Sequence, residues 1–186
     1  MLIRSLQSAV EREQAFNKFS RRWMSGKLLG VADIYIPYRL YKVSLEDRRV
    51  RTARLLAIDA VSGNLDPFEF SESPVQNRCT DLETRNYLPA QLSEPETHAA
   101  ALAKFRRLLF SAGFFRLAKP VISIELVESA LFMPYWAGFY GQENSVRVLM
   151  LDAIRGTIEG GKITSSVKAW LLESQSRRMS ELVAGG

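Results

Sequence analysis

Apolar residues recur along this chain at two different spacings, and the changes between them divide it into elements. In SLQSAVEREQAFNKFSRRWMSG, residues 5–26, Leu6, Val10, Phe16, Phe19 and Trp23 stand mostly three and four apart with charged residues between them. That spacing predicts an amphipathic helix ending near Gly26. IYIPYRLYKV, residues 34–43, then shifts to a period of two. Its even-numbered set, Ile34, Ile36, Tyr38, Leu40 and Lys42, is apolar for four consecutive members and is expected to face the core of a strand. Pro37 cannot donate to a ladder, which predicts an edge position, a strand start or a bulge. TARLLAIDAV, residues 52–61, places Leu56 and Ile58 on one face and completes a hairpin. SEPETHAAALAKFRRLLFSAG, residues 93–113, predicts a second helix with Ala101, Leu102, Phe105, Leu108 and Leu109 along one side. Ser93 serves as its cap, Pro95 sits in the first turn and Glu96 completes a capping box. LFMPYWAGFY and VRVLMLDAI, residues 131–140 and 146–154, predict a second hairpin. SSVKAWLLESQSRRMSELVAGG predicts a last helix with Val167, Trp170 and Leu171 on its apolar side and Ser165 or Ser166 as cap.

Several of these segments are written twice. LLAIDAVSGNL, residues 55–65, and VLMLDAIRGTI, residues 148–158, share an apolar run, Asp-Ala, two variable residues, Gly, one more residue and an aliphatic. Pro-Tyr stands in the strand upstream of each, 22 positions before Asp59 and 18 before Asp152. The difference falls in the polar stretches SLEDRRVR and GQENS, which read as hairpin loops, where length changes are tolerated. KFSRR and KFRR recur in the two helices. We therefore expect an internal duplication in which residues 4–66 superpose on 92–159. The fold class expected is α+β: two helix-plus-antiparallel-hairpin repeats forming a sheet with helices on one side, plus a C-terminal helix. The boundaries expected are 1–70 for the first repeat, 71–92 for a connector with little regular structure, 93–163 for the second repeat and 164–186 for the closing helix and tail. Together they are expected to form one compact domain.

Asp59 and Gly63, with Asp152 and Gly156, read as a structural turn motif. An aspartate at the start of a tight turn accepts hydrogen bonds from amides two or three residues on. A glycine adopts the positive φ that other residues resist. The same aspartates considered as a metal or catalytic pair lack a His or Glu cluster beside them, whereas a hard cation takes six or more oxygens. A helix followed by a hairpin whose second strand ends in Ile58, Asp59, Ala60, Gly63 and Leu65, and again in Leu151, Asp152, Ala153, Gly156 and Ile158, resembles the PepSY domain. That resemblance covers about 60 residues in each half. It implies an α+β module often found in tandem, not an enzyme, associated with binding and with restraint of peptidases. Most members are secreted or membrane-attached, and the Pro-Tyr of the first strand has no assigned place in the family pattern.

Composition narrows the functions further. The chain has 186 residues, one Cys and one His. Cys79 has no intramolecular disulfide partner, and a zinc site would need more Cys or His than Cys79 and His98 supply. Those two also lie in or beside one polar segment, outside any strand-end context that would make them a nucleophile and base. GG at 160–161 lacks P-loop spacing, and no G-x-S-x-G elbow occurs. Neither a cofactor nor catalysis is expected. The N-terminal MLIRSLQSAVEREQ mixes charge with apolar residues too finely for a secretory signal. No apolar run approaches the roughly 20 residues of a membrane helix. A cytoplasmic protein without a membrane span is expected.

The formal net charge of +5 permits anionic partners without requiring them. Arg48, Arg49, Arg51 and Arg54 form the densest basic cluster, beside the first hairpin loop, and are candidate anion contacts. Glu46 and Asp47 adjoin them, so nucleic-acid binding is an alternative that is not favoured. Tyr35, Tyr41, Tyr135, Trp136 and Tyr140 make both first strands aromatic. They fill a sheet core or, if one face stays uncovered, form an interface for a protein partner or for self-association.

Overall fold

A computed structural model describes residues 1–21, 26–47, 50–66, 78–111, 121–142 and 145–184. The elements run β1 Leu2–Leu6, α1 Arg12–Ser20, β2 Lys27–Asp47, β3 Val50–Asp59, β4 Cys79–Glu83, α2 Glu94–Ser111, β5 Val121–Gln142, β6 Ser145–Asp152 and α3 Gly161–Ala184. The fold is α+β, with three helices and a six-stranded sheet among the described residues. Strand order is β3-β2-β5-β1-β4, with β6 also paired to β5. The sheet is mixed rather than antiparallel throughout, because β1 pairs parallel to β5 at Leu131 and Phe132. No helix among the described residues is long and apolar enough to cross a membrane.

Both expected hairpins form. β2 and β3 pair from Tyr38↔Asp59 to Asp47↔Val50, and β5 and β6 from Tyr135↔Asp152 to Gln142↔Ser145. Pro37 lies well inside β2 rather than at its start, one residue before the pairing with β3 begins at Tyr38. Its carbonyl accepts Ala60 N–H at 2.9 Å, and Pro134 accepts Ala153 N–H at 3.1 Å. In a strand the nitrogen and carbonyl of one residue point the same way. The donor that proline lacks would therefore face the Ala60 carbonyl, which accepts the N–H groups of Gln91 and Leu92 instead.

The chain clusters into two compact units rather than one, and these cut across the expected repeat boundaries. One comprises Met1–Gln7 and Ile36–Met133; the other comprises Ser8–Tyr35 and Pro134–Gly186. Each hairpin thus shares a unit with the helix that precedes the other hairpin in sequence. In the first unit Tyr41, Val43, Leu45, Leu56 and Ile58 pack with Ala101 and Phe105 of α2. In the second, Tyr140 and Leu151 pack with Val10 and with Ala15 and Phe19 of α1.

α1 is shorter than the periodicity suggests. Leu6 belongs to β1, which pairs with β4 inside the expected connector. Phe16 points away from the hairpin at 48 % exposure, while Phe19 is fully buried. Trp23 lies outside the described residues. α3 begins at Gly161, so Ser165 and Ser166 are not its cap. Ser166 instead donates from within the helix to the Lys162 carbonyl.

β2 buries both faces in succession. Ile34, Ile36, Tyr38 and Leu40 are buried as the alternation predicts, but so are Tyr41, Val43 and Leu45 of the other set, because α2 covers that side.

Candidate functional site

The two Asp-Ala-x-x-Gly turns share the same backbone hydrogen bonds. Asp59 N–H donates to Asn64 O and Gly63 N–H to Asp59 O; Asp152 N–H donates to Thr157 O and Gly156 N–H to Asp152 O. Leu65 bridges to Ile58, and Ile158 to Leu151. Gly63 has φ +70 and Gly156 φ +68. Each turn also holds a helix entry. The Ala60 carbonyl accepts the N–H groups of Gln91 and Leu92, which lead into α2 at Ser93. The Ala153 carbonyl accepts those of Ala9 and Val10, which lead into α1 at Glu11. A Cβ on Gly63 would lie 3.2 Å from Leu92, and one on Gly156 3.3 Å from Val10. Glycine therefore serves both the left-handed turn and the close passage of the chain entering a helix.

Two side chains that the periodicity does not single out complete these anchors. Two residues after Pro37, Arg39 donates Nη1 to the Leu92 carbonyl at 2.8 Å and to Thr97 Oγ1 at 3.1 Å. Two residues after Pro134, Trp136 donates Nε1 to the Val10 carbonyl at 2.8 Å. Their shared offset from Pro-Tyr was the available signal. The helix starts add capping bonds: Glu96 accepts from the Ser93 amide at 2.7 Å, and Gln14 from the Glu11 amide at 3.1 Å.

The two aspartates differ in their surroundings. Asp152 Oδ1 accepts the Ile154 and Arg155 amides, and its Oδ2 pairs with the Arg155 guanidinium. Asp59 is buried among neutral donors, the Val61 amide and the Ser62 hydroxyl. Burial pushes its carboxyl above the ordinary value, with the hydrogen bonds from Ser62 and Val61 opposing. A carboxyl raised in the fold contributes stability in acid that is lost as pH rises through the folded value. Asp59→Asn keeps an acceptor for Val61, removes the buried charge and reverses the bond to Ser62, whose oxygen then accepts from the amide. It should leave stability at pH 7 unchanged or higher, and flatten its pH dependence above pH ~4. Asp152→Asn sets an amide donor against Arg155 and should cost about 1–3 kcal/mol. Urea unfolding of both variants at several pH values checks this, and equal losses at pH 7 would contradict it.

The aromatic residues expected as an interface are mostly interior. Tyr41, Tyr135 and Tyr140 are buried. Their hydroxyl chemistry is satisfied within the protein: Tyr41 shares a 2.7 Å bond with Thr97 Oγ1, and Tyr140 donates to the Phe19 carbonyl at 2.9 Å. Trp136 is half-buried in its anchor role. Tyr35 is half-buried beside Asp33; burial first, then that carboxylate, pushes its phenol up to about 12. Of the two readings, the core one holds for Tyr41, Tyr135 and Tyr140, with α2 packed on Tyr41 and α1 on Tyr140.

Of the candidate anion contacts, Arg48 and Arg49 lie outside the described residues. Arg51 stands opposite Glu46 in the ladder, and Arg54 is exposed opposite Val43. Cys79 is partly buried on β4, where burial raises its thiol pKa, and His98 packs edge-on against Tyr41 from the exposed side of α2.

What remains open is one face of the sheet in the first unit. Opposite α2, alternate residues of three strands reach solvent: Lys42, Ser44 and Glu46 of β2, Ala53 and Leu55 of β3, and Val121, Ser123, Glu125 and Val127 of β5. Val121 is 66 % and Val127 38 % exposed. Shallow depressions in this face are lined by Lys42, Ala53, Leu55, Val121, Ser123 and Val127. Compared with known proteins, the chain matches no family model, and no curated protein or solved structure matches it.

Proposed function

We propose that this chain is a non-catalytic binding module of the cytoplasm, built on a duplicated, PepSY-like helix–hairpin plan, whose contact surface for protein is the open sheet face of the first unit. The observation that carries this reading is the exposure of Val121 and Val127, with half-buried Leu55, among polar neighbours on a face that no described helix of that unit covers. Aliphatic positions rimmed by polar ones characterise protein contact surfaces. A nucleic-acid role is less well supported, because the face lacks aromatic residues for base stacking and carries Glu46 and Glu125 beside Lys42.

A photo-crosslinking residue placed at Ser123 or Val127 tests the reading in cells. Adducts are expected from both positions and not from Arg106, which is exposed on α2. Adducts from Arg106 alone, or from none of the three, would overturn it.

A further inference from the structure

The open face is suited to a second copy of this chain. Lys42 and Glu46 are both exposed on β2, with Ser44 midway between them. At about 3.3 Å per residue they lie roughly 13 Å apart. Their charges are opposite, and a two-fold axis passing over Ser44 would set Lys42 of one copy against Glu46 of the other, twice. Such a contact is isologous and closes on itself. The middle of the face is small, with Ser44, Ala53 and Ser123, so two sheets can approach to the roughly 10 Å spacing of face-to-face packing. Val121, Val127 and Leu55 supply the apolar surface that such packing removes from water.

The face also differs in charge from the rest of the chain. Among the residues whose side chains are described it carries Lys42, Glu46 and Glu125, while the chain as a whole carries +5. Two copies of a basic protein can therefore meet there where repulsion is least.

We infer that the chain forms a two-fold dimer through the Lys42–Glu46 face of its sheet. This rests on the reading of that face as the contact surface. Sedimentation of the purified full chain at about 100 µM should give twice the 21.0 kDa monomer mass. Lys42→Glu and Glu46→Lys, both at exposed positions, should each weaken the dimer tenfold or more while leaving the circular dichroism unchanged. Mixing the two variants should restore association, because each then meets opposite charge at both contacts. A wild-type monomer at that concentration, or single variants that associate like wild type, would overturn the inference. If the purified chain is monomeric and Val127 crosslinks to a different polypeptide in cells, the dimer falls and the contact surface stands. If no crosslink forms either, both fall.

Discussion

Replacing Gly138 with alanine should lower stability by about 1–3 kcal/mol, the usual cost of forcing extra volume into a packed core. Gly138 lies on β5 beneath α1, and a Cβ there would stand 2.9 to 3.0 Å from three ring atoms of Phe19. The ring cannot swing aside, because Phe19 is fully buried, meets Tyr140 edge-on at 6.5 Å and has its carbonyl held by the Tyr140 hydroxyl. For a chain of this length the loss corresponds to a melting temperature lower by roughly 2–12 °C. Gly30→Ala is the control. It lies in the same sheet, but a Cβ there meets nothing within 4 Å, and replacing a strand glycine should be neutral or slightly stabilising. Thermal melts of both variants check the pair. A Gly138→Ala melt like that of wild type would mean that α1 does not sit on the second hairpin as described.

How far the sequence disclosed this depended on the range of the interactions. Local signals read well. The Ser93–Glu96 pair starts α2, the Asp-Ala-x-x-Gly stretches are tight turns with positive-φ glycines, and both hairpins form, although residues 44–47, Val50 and Arg51 of the expected first loop belong to its strands. Long-range choices did not read. LIRSL carries a strand alternation as well as a helical one, and pairing with β4 and β5, distant in sequence, decides for β1. Ile122, Ile124 and Leu126 alternate strictly and extend β5 well before its Pro-Tyr, where they pack against the α2 cluster. Phe16 fits the helical spacing of Phe19, but a nine-residue helix presents only one turn's width to its hairpin, and Phe16 falls outside it. Of the aromatic positions proposed as an interface, Tyr41 and Tyr140 became interior because α2 and α1 lie over them, which periodicity within a strand cannot reveal. The open face was masked by its own polar alternation: Lys42, Ser44 and Glu46 look like an ordinary wet side.

The pairing of each helix with the other hairpin has a direct consequence. α1 has nine residues, too few to persist alone in water, and depends on the second hairpin for a surface. The first hairpin depends likewise on α2 to cover Tyr41, Val43 and Leu45. A cut between residues 74 and 75 leaves β1, α1, β2 and β3 on one fragment and β4, α2, β5, β6 and α3 on the other. Each compact unit then draws on both fragments. The decisive measurement is the amide spectrum of isotopically labelled 1–74, recorded alone and with an equimolar amount of unlabelled 75–186. The account predicts a collapsed, unfolded-like spectrum for 1–74 alone and a dispersed, native-like spectrum once 75–186 is added. A dispersed spectrum from 1–74 alone, with Phe19 already protected, would contradict it, because α1 would then be packing on its own hairpin.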